Sequence, residues 1–330
     1  MGDSKEPVTF FAGCAIERDY IYVGGKPDAL DEETEFSRLF FFDEQNRAQP
    51  WVHHDLADFA VVSMCVAANV EGAGRQYCAL SRQGDVEFIW VGGKRMEEID
   101  GAGVRRAEPP IYGYVNVIRA IAGELYVAGS GGQVYCRRGG GWQSIAQSLQ
   151  KPAVVPSAVI DAAVLDIGGR EFADIDGVSA SDIYVVGGNG EIFHFDGAEW
   201  TECDSDASRP LNCVRAVSRD EVWVCGYGGC LMRGNARTGF VRAGSCSEVL
   251  TFSSIGILDG SVFLASNKGV FRLSDDGIVR RVKTGLEPEV EDSNVLDVRD
   301  GMLWSFGYTD IVRFDGRDWS RIEHPDNVQS

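Results

Sequence analysis

The sequence lacks most of what a nucleic-acid interface, a membrane span or a common active site is built from. Basic residues are in deficit, with 31 Lys and Arg against 50 Asp and Glu in 330 residues, a formal charge of −19. Neutralising phosphates takes clustered cations, so this balance excludes a nucleic-acid surface and opposes adhesion to an anionic membrane leaflet. No apolar run approaches the roughly 20 residues a membrane-spanning helix needs. Met1–Tyr20 mixes Lys5 with Asp3, Glu6, Glu17 and Asp19 and interrupts its short apolar stretch at Gly13, so no secretory signal is read there.

Catalytic signatures are missing as well. No G-x-x-x-x-G-K-[ST], G-x-S-x-G or H-E-x-x-H occurs. The four histidines are His53, His54, His194 and His324. The first two are adjacent, so on a strand they would face opposite ways and could not share one ion. His194 sits inside a regular strand pattern, IFHF. Nine cysteines form an odd set without a C-x-x-C pair, which argues against a zinc ribbon. Most fall in apolar, strand-like runs, where a free thiol packs as a small hydrophobe. Cys225 and Cys230 flank a turn and are read as facing each other in that way. These features predict a reduced, cytoplasmic chain without a cofactor.

What is present is repetition. The clearest unit is Phe172–Cys203, FADIDGVSASDIYVVGGNGEIFHFDGAEWTEC: a strand, a turn, an apolar strand, a Gly-rich hairpin, a third strand, an Asp-Gly turn and a strand opening with Trp200. The grammar returns at Leu125–Trp142, Val222–Arg233, Val262–Leu273 and Leu303–Trp319, and more weakly at Ile21–Gly25 with Arg38–Trp51 and at Tyr77–Trp90. Anchored on the residue ending the second strand, the copies fall at 25, 81, 129, 187, 226, 266 and 307. A four-stranded unit of this size cannot bury both faces alone, whereas seven packed around an axis can. The repeat therefore predicts an all-β fold, a single seven-bladed β-propeller with four antiparallel strands per blade. The expected blades are residues 8–55, 56–100, 112–146, 170–203, 211–244, 249–284 and 293–323. Only Val155–Ile167 reads as a candidate helical turn. Trp51, Trp142, Trp200 and Trp319 recur at the start of the outer strand, which reads as blade packing.

The unit S-x-D-I-Y-V-V-G-G-x-G-x-I-x-x-F-D-G-x-x-W resembles the short repeats of bacterial propellers related to the photosystem-assembly type. The resemblance covers most of the chain and is strict in Phe172–Trp200 and Asp310–Trp319. The Gly-His and Trp-Asp signature of WD40 blades is absent, and the nearest approach to a sialidase box is Ser274-Asp275-Asp276-Gly277. Such propellers are mostly binding platforms, so the resemblance implies a fold and a general role as a scaffold.

In a four-stranded blade the second-to-third-strand turns and the blade-to-blade links lie on one face. The long excursions Lys26–Ser37, Asp100–Tyr114, Gln147–Gly169, Asp204–Leu211 and Gly285–Asn294 belong to that set. Elaborate loops on one rigid face mark where function sits. Acid gathers there: Asp28, Asp31, Glu32, Glu33 and Glu35 in the blade-one insertion, and Glu287, Glu289, Glu291 and Asp292 in the link between blades six and seven. Ring closure makes blade seven the neighbour of blade one, so the two runs are expected to converge. Tyr112, Tyr114, Tyr227 and Tyr308 are expected on the same face, where interfaces favour tyrosine.

The leading expectation is a non-catalytic, protein-binding propeller whose acidic face engages a basic protein, with no nucleic-acid or membrane partner. An intracellular bacterial immunity protein that covers a basic toxin or effector domain fits that description. Two alternatives remain open at this stage. One is a scaffold subunit of a larger assembly. The other is a Ca²⁺-dependent lactonase or lyase with an ion in the axial channel, for which Asp174, Asp176, Asp297 and Asn116 on inner strands are the candidate ligands.

Overall fold

The computed structural model describes residues 6–68, 70–72, 74–105, 110–152, 170–246 and 248–327. They form seven four-stranded antiparallel sheets, each made of four consecutive strands: the seven-bladed β-propeller that the repeat predicts. In blade four these are Phe172–Ser179, Asp182–Gly187, Ile192–Phe195 and Trp200–Glu202. Blade one opens on Val8–Glu17 and ends on Trp51–Ala57, and blade seven opens on Val295–Arg299 and ends on Trp319–Ile322. Among the described residues no strand is exchanged between the first blade and the last. Helix among the described residues is confined to 3-10 turns such as Gly188–Gly190 and Tyr227–Gly229. The candidate helical turn at Val155–Ile167 lies outside the described residues.

The chain divides into two compact units, Met1–Met64 with Gly244–Ser330, and Cys65–Ala243. The first holds blades one, six and seven; the second holds blades three to five and most of blade two. Within each unit the core lies between sheets. Phe10, Phe40, Trp304 and Phe306 pack blade seven on blade one, and Leu258, Phe263, Leu296 and Leu303 pack blade six on blade seven. In the second unit Val117, Tyr126, Phe172 and Ile175 join blades three and four, and Tyr184, Val186, Val214 and Val224 join blades four and five. Burying such side chains stabilises by about 1.5–3 kcal/mol each.

Local turn chemistry explains the repeat. Asn189 (φ 61°) and Gly228 (φ 69°) occupy the same left-handed position in matching turns, which Gly and Asn adopt at least cost. In the turns opening the outer strand, Asp196 Oδ1 accepts the Ala198 and Glu199 amides, and Asp315 Oδ1 accepts those of Arg317 and Asp318. Two of the outer-strand tryptophans hydrogen-bond back to the preceding blade. Trp200 Nε1 donates to the Ile145 carbonyl at 2.9 Å, and Trp51 Nε1 to the Glu323 carbonyl at 3.1 Å. Trp319 stacks on Phe314 against the blade-six core.

The glycine ending a second strand is required by close approach. A Cβ on Gly187 would overlap the carbonyl oxygen of Glu171, and one on Gly226 that of Pro210, where the incoming link crosses. Gly187→Ala must push that link aside and is expected to cost about 2–3 kcal/mol. Gly301→Ala meets only a left-handed backbone (φ +71°) with open space around it, and is expected to cost about 1 kcal/mol. Urea unfolding of the two variants checks this; equal losses would remove the crowding account.

Candidate partner-binding face

The blade-one insertion folds around its own lysine. Lys26 Nζ donates to the backbone carbonyls of Asp31 (2.6 Å), Glu32 (3.0 Å) and Thr34 (2.9 Å). With the backbone wrapped inward, Asp28, Asp31, Glu32 and Glu33 are exposed and Glu35 is half-buried. The insertion is tied at its base, where the Asp28 amide donates to the Pro7 carbonyl and Thr9 Oγ1 donates to Asp28 Oδ1 at 2.8 Å.

The link before blade seven is fastened by Arg321. Its guanidinium donates to the carbonyls of Glu287 (3.2 Å) and Pro288 (2.7 Å) and lies 2.9 Å from Asp310 Oδ1. Its donors are thereby divided between the loop and Asp310, and Glu287, Glu291 and Glu323 stay exposed. Together with Glu289, Asp292 and Asp310 these carboxylates line an open cavity of about 500 Å³, whose basic side chains are Arg321 and the buried His324.

Two of the acids serve the loop itself. Glu289 accepts the amides of Thr284 and Val290 and the Thr284 hydroxyl. Burial would raise its pKa, but those hydrogen bonds outweigh it and hold the carboxyl below its ordinary range. Asp292 Oδ1 accepts the Tyr308 amide at 2.9 Å. Burial pushes its pKa up, and the nearby charges of Asp310 and Glu291 add to the rise.

The base of the blade-one insertion and the cavity lie along one seam. Asn327 lines the cavity and exchanges two 2.8 Å hydrogen bonds with the backbone of Val8, next to the Thr9 that holds Asp28. The Phe10 amide donates to the Tyr308 carbonyl at 2.8 Å along the same seam. Tyr308 is 45% exposed there, and in the other unit Tyr227 is 47% exposed at the matching turn. Tyr112 and Tyr114 are half-buried instead. The Tyr112 carbonyl lies against Gly131, and the Arg82 guanidinium sits 5.0 Å above the Tyr114 ring. In that second unit the corresponding links carry paired charge, Arg105 with Asp85 and Arg170 with Glu191. The acidic concentration is a property of the first unit.

The inner-strand aspartates have a structural task. Asp174 accepts the amides of Ile175 and Val214 and the Arg119 guanidinium. Asp176 accepts the Ala216 amide with Arg215 3.7 Å away, and burial pushes its pKa up against the pull of Arg215. Asp297 accepts the amides of Ala15 and Val298. Asn116 donates to the Phe172 carbonyl. Each therefore bonds to the backbone of the following blade's first strand. Among the described residues no group of three or more His, Cys, Asp or Glu is arranged to hold an ion. Cys225 pairs across its sheet with Cys213, not with Cys230, and burial pushes its thiol pKa well up.

Sequence reasoning passed over Asp310, Arg321, Glu323 and Asn327, which complete the cavity. Asp310 follows the blade-seven turn and the others belong to the outer strand and its tail, where a repeat-based reading looks for packing. The signal that would have found Arg321 is an arginine at the edge of a blade whose incoming link is rich in acid.

No family model matches the chain. Over 213 residues it is 30% identical to the immune protein Tsi7 of Pseudomonas aeruginosa, a match spanning 64% of this chain and 65% of that protein. Among solved structures it is similar to the WD40 β-propeller domain of Doa1, with TM-score 0.64 and 11% identity over 98% and 96% of the two chains. It is also similar to YCF48 bound to D1 peptide, with TM-score 0.60 and 13% identity over 92% of each chain. These likenesses bear out the propeller and do not choose between repeat types. No helix among the described residues is long and apolar enough to cross a membrane.

The stitching account makes a measurable claim. Asp174→Ala removes the carboxylate that the Arg119 guanidinium and the buried Ile175 and Val214 amides share, and is expected to cost about 3 kcal/mol in urea unfolding. Millimolar Ca²⁺ is expected to leave the melting temperature of the unaltered protein unchanged, since a ligand of the native state must raise it. A rise of several degrees, abolished in Asp174→Ala or Asp297→Ala, would restore the ion-site reading.

Proposed function

We propose that the chain is a non-catalytic immunity protein of the bacterial cytoplasm that neutralises a basic toxin by docking it on the acidic rim of blades seven and one. The similarity to an immune protein carries this reading, and the cavity supports it by offering a surface lined mainly by carboxylates. A cationic partner is drawn toward such a rim over about a Debye length of 8–10 Å. Charge complementarity mainly speeds association and rejects wrong partners, while exposed aromatic side chains such as Tyr308 supply contact area. The toxin is held inactive by being covered, so no catalytic group is required of this chain. The lactonase reading is disfavoured because the carboxylates it would use are engaged with backbone amides of neighbouring blades.

Affinity capture from the native host is expected to recover a basic polypeptide. Reversing Asp31, Glu32, Glu33 and Glu291 to Lys is expected to slow association at least tenfold and flatten its dependence on salt, with folding unchanged because all four side chains are exposed. Glu289 is left intact since its reversal would dismantle the loop. Recovery of an acidic partner, or binding indifferent to the four reversals and to salt, would sink the proposal.

A further inference from the structure

The segment after the last strand makes three contacts with blade one. The Glu323 carbonyl accepts Trp51 Nε1 at 3.1 Å, and Asn327 holds the Val8 backbone through two 2.8 Å bonds. Between them His324, 5% exposed, is boxed by three rings of blade one. Its ring centre lies 5.7 Å from Phe10, 4.9 Å from Phe40 and 4.8 Å from Trp51, each nearly perpendicular to it. Nδ1 accepts the Asp326 amide at 3.3 Å. That lone pair is therefore committed, and a proton there would set N–H against N–H.

We propose that Glu323–Asn327 is a latch fastening the segment after the last strand to blade one, and that proton uptake by His324 releases it. The device is separate from the docking reading and stands without it. Charged and titratable groups reach His324 from several sides. Asp326 on its own turn favours the cation, whereas His53 and Arg38 from blade one oppose it. The blade-one first strand contributes Val8 and Phe10 to this contact, neither of which titrates. From blade seven, its link and its tail, Arg321 and the carboxylates of Asp310, Asp292, Glu289, Glu287, Glu291 and Glu323 line the cavity that His324 shares, the arginine opposing a second cation and the acids favouring it. Burial is the largest influence, and it lowers the imidazole from 6.5 to about 4.

The sign follows from linkage. Above pH 6.5 the imidazole is neutral whether the latch is shut or open, so protons have no effect. Below 6.5 the open segment takes up a proton that the closed one refuses, and opening gains until about pH 4, where both forms are charged. Between pH 7 and pH 5 the opening constant is expected to rise about twentyfold. The inner stitches, Asp297 to the Ala15 amide and Asn294 to the Phe11 carbonyl, stay in place, so the event is local.

Hydrogen exchange at the Val8 amide, whose acceptor is Asn327, reads the latch directly. Its protection factor is expected to fall about twentyfold from pH 7 to pH 5 in the unaltered protein. His324→Phe fills the aromatic box without a titrating group and is expected to hold protection nearly constant. A flat profile in the unaltered protein, or an equal fall in the variant, overturns the proposal. Should the variant not fold, the ring proton titration of His324 in the unaltered chain decides: a midpoint near 4 supports the latch, and one near 6.5 removes it.

Discussion

Each blade is a sheet too narrow to bury itself, and the shared apolar layer between successive sheets is what the rest of this structure depends on. Phe172 and Ile175 complete the core of blade three with residues of blade four, and Trp304 and Phe306 do the same for blades seven and one. Sliding of one sheet over the next is prevented by directional bonds at the first strands. Asp174, Asp176 and Asp297 each place a carboxylate oxygen on an amide of the following blade. Apolar contact supplies most of the free energy, and those buried acceptors fix the register.

Legibility in the sequence tracked how local each interaction is. Asp-Gly turns, the Gly-rich hairpins and the recurring tryptophans announce themselves because their partners lie a few residues away or recur at one place in every blade. The packing of blade seven on blade one was legible too, since closure follows from counting blades. Partner choice at long range was not. Asp174 reads equally well as an ion ligand or an amide acceptor until Val214, forty residues on, is seen against it. Glu289 looks like one more rim charge, yet its oxygens are taken by Thr284 and Val290. Tyr112 and Tyr227 belong to one class on paper and differ in exposure because only the first lies along a link pressed against the next hairpin.

The charge of the chain is unevenly used. In the second unit, arginines of the blade-to-blade links are matched with Asp85 and Glu191, and little net field results. In the first unit the lysine and arginine nearest the acidic loops, Lys26 and Arg321, point their donors at backbone carbonyls. Lys26 orders its loop through carbonyls, and Arg321 adds to its two carbonyls one carboxylate, Asp310, at 2.9 Å. The donors that order these loops thus fall mainly on backbone carbonyls, which leaves Glu287 and Glu291 exposed.

Val8 and Asn327 are 319 positions apart in the chain and joined by paired hydrogen bonds. The stretches leading into Val8 and out of Asn327 therefore pass beside the same carboxylate-lined hollow. Opening the chain instead at an exposed hairpin such as Asp300-Gly301 and joining Val8 to Asn327 through a short linker would carry an attached handle away from that hollow, a practical route to immobilising the molecule with its charged rim unobstructed.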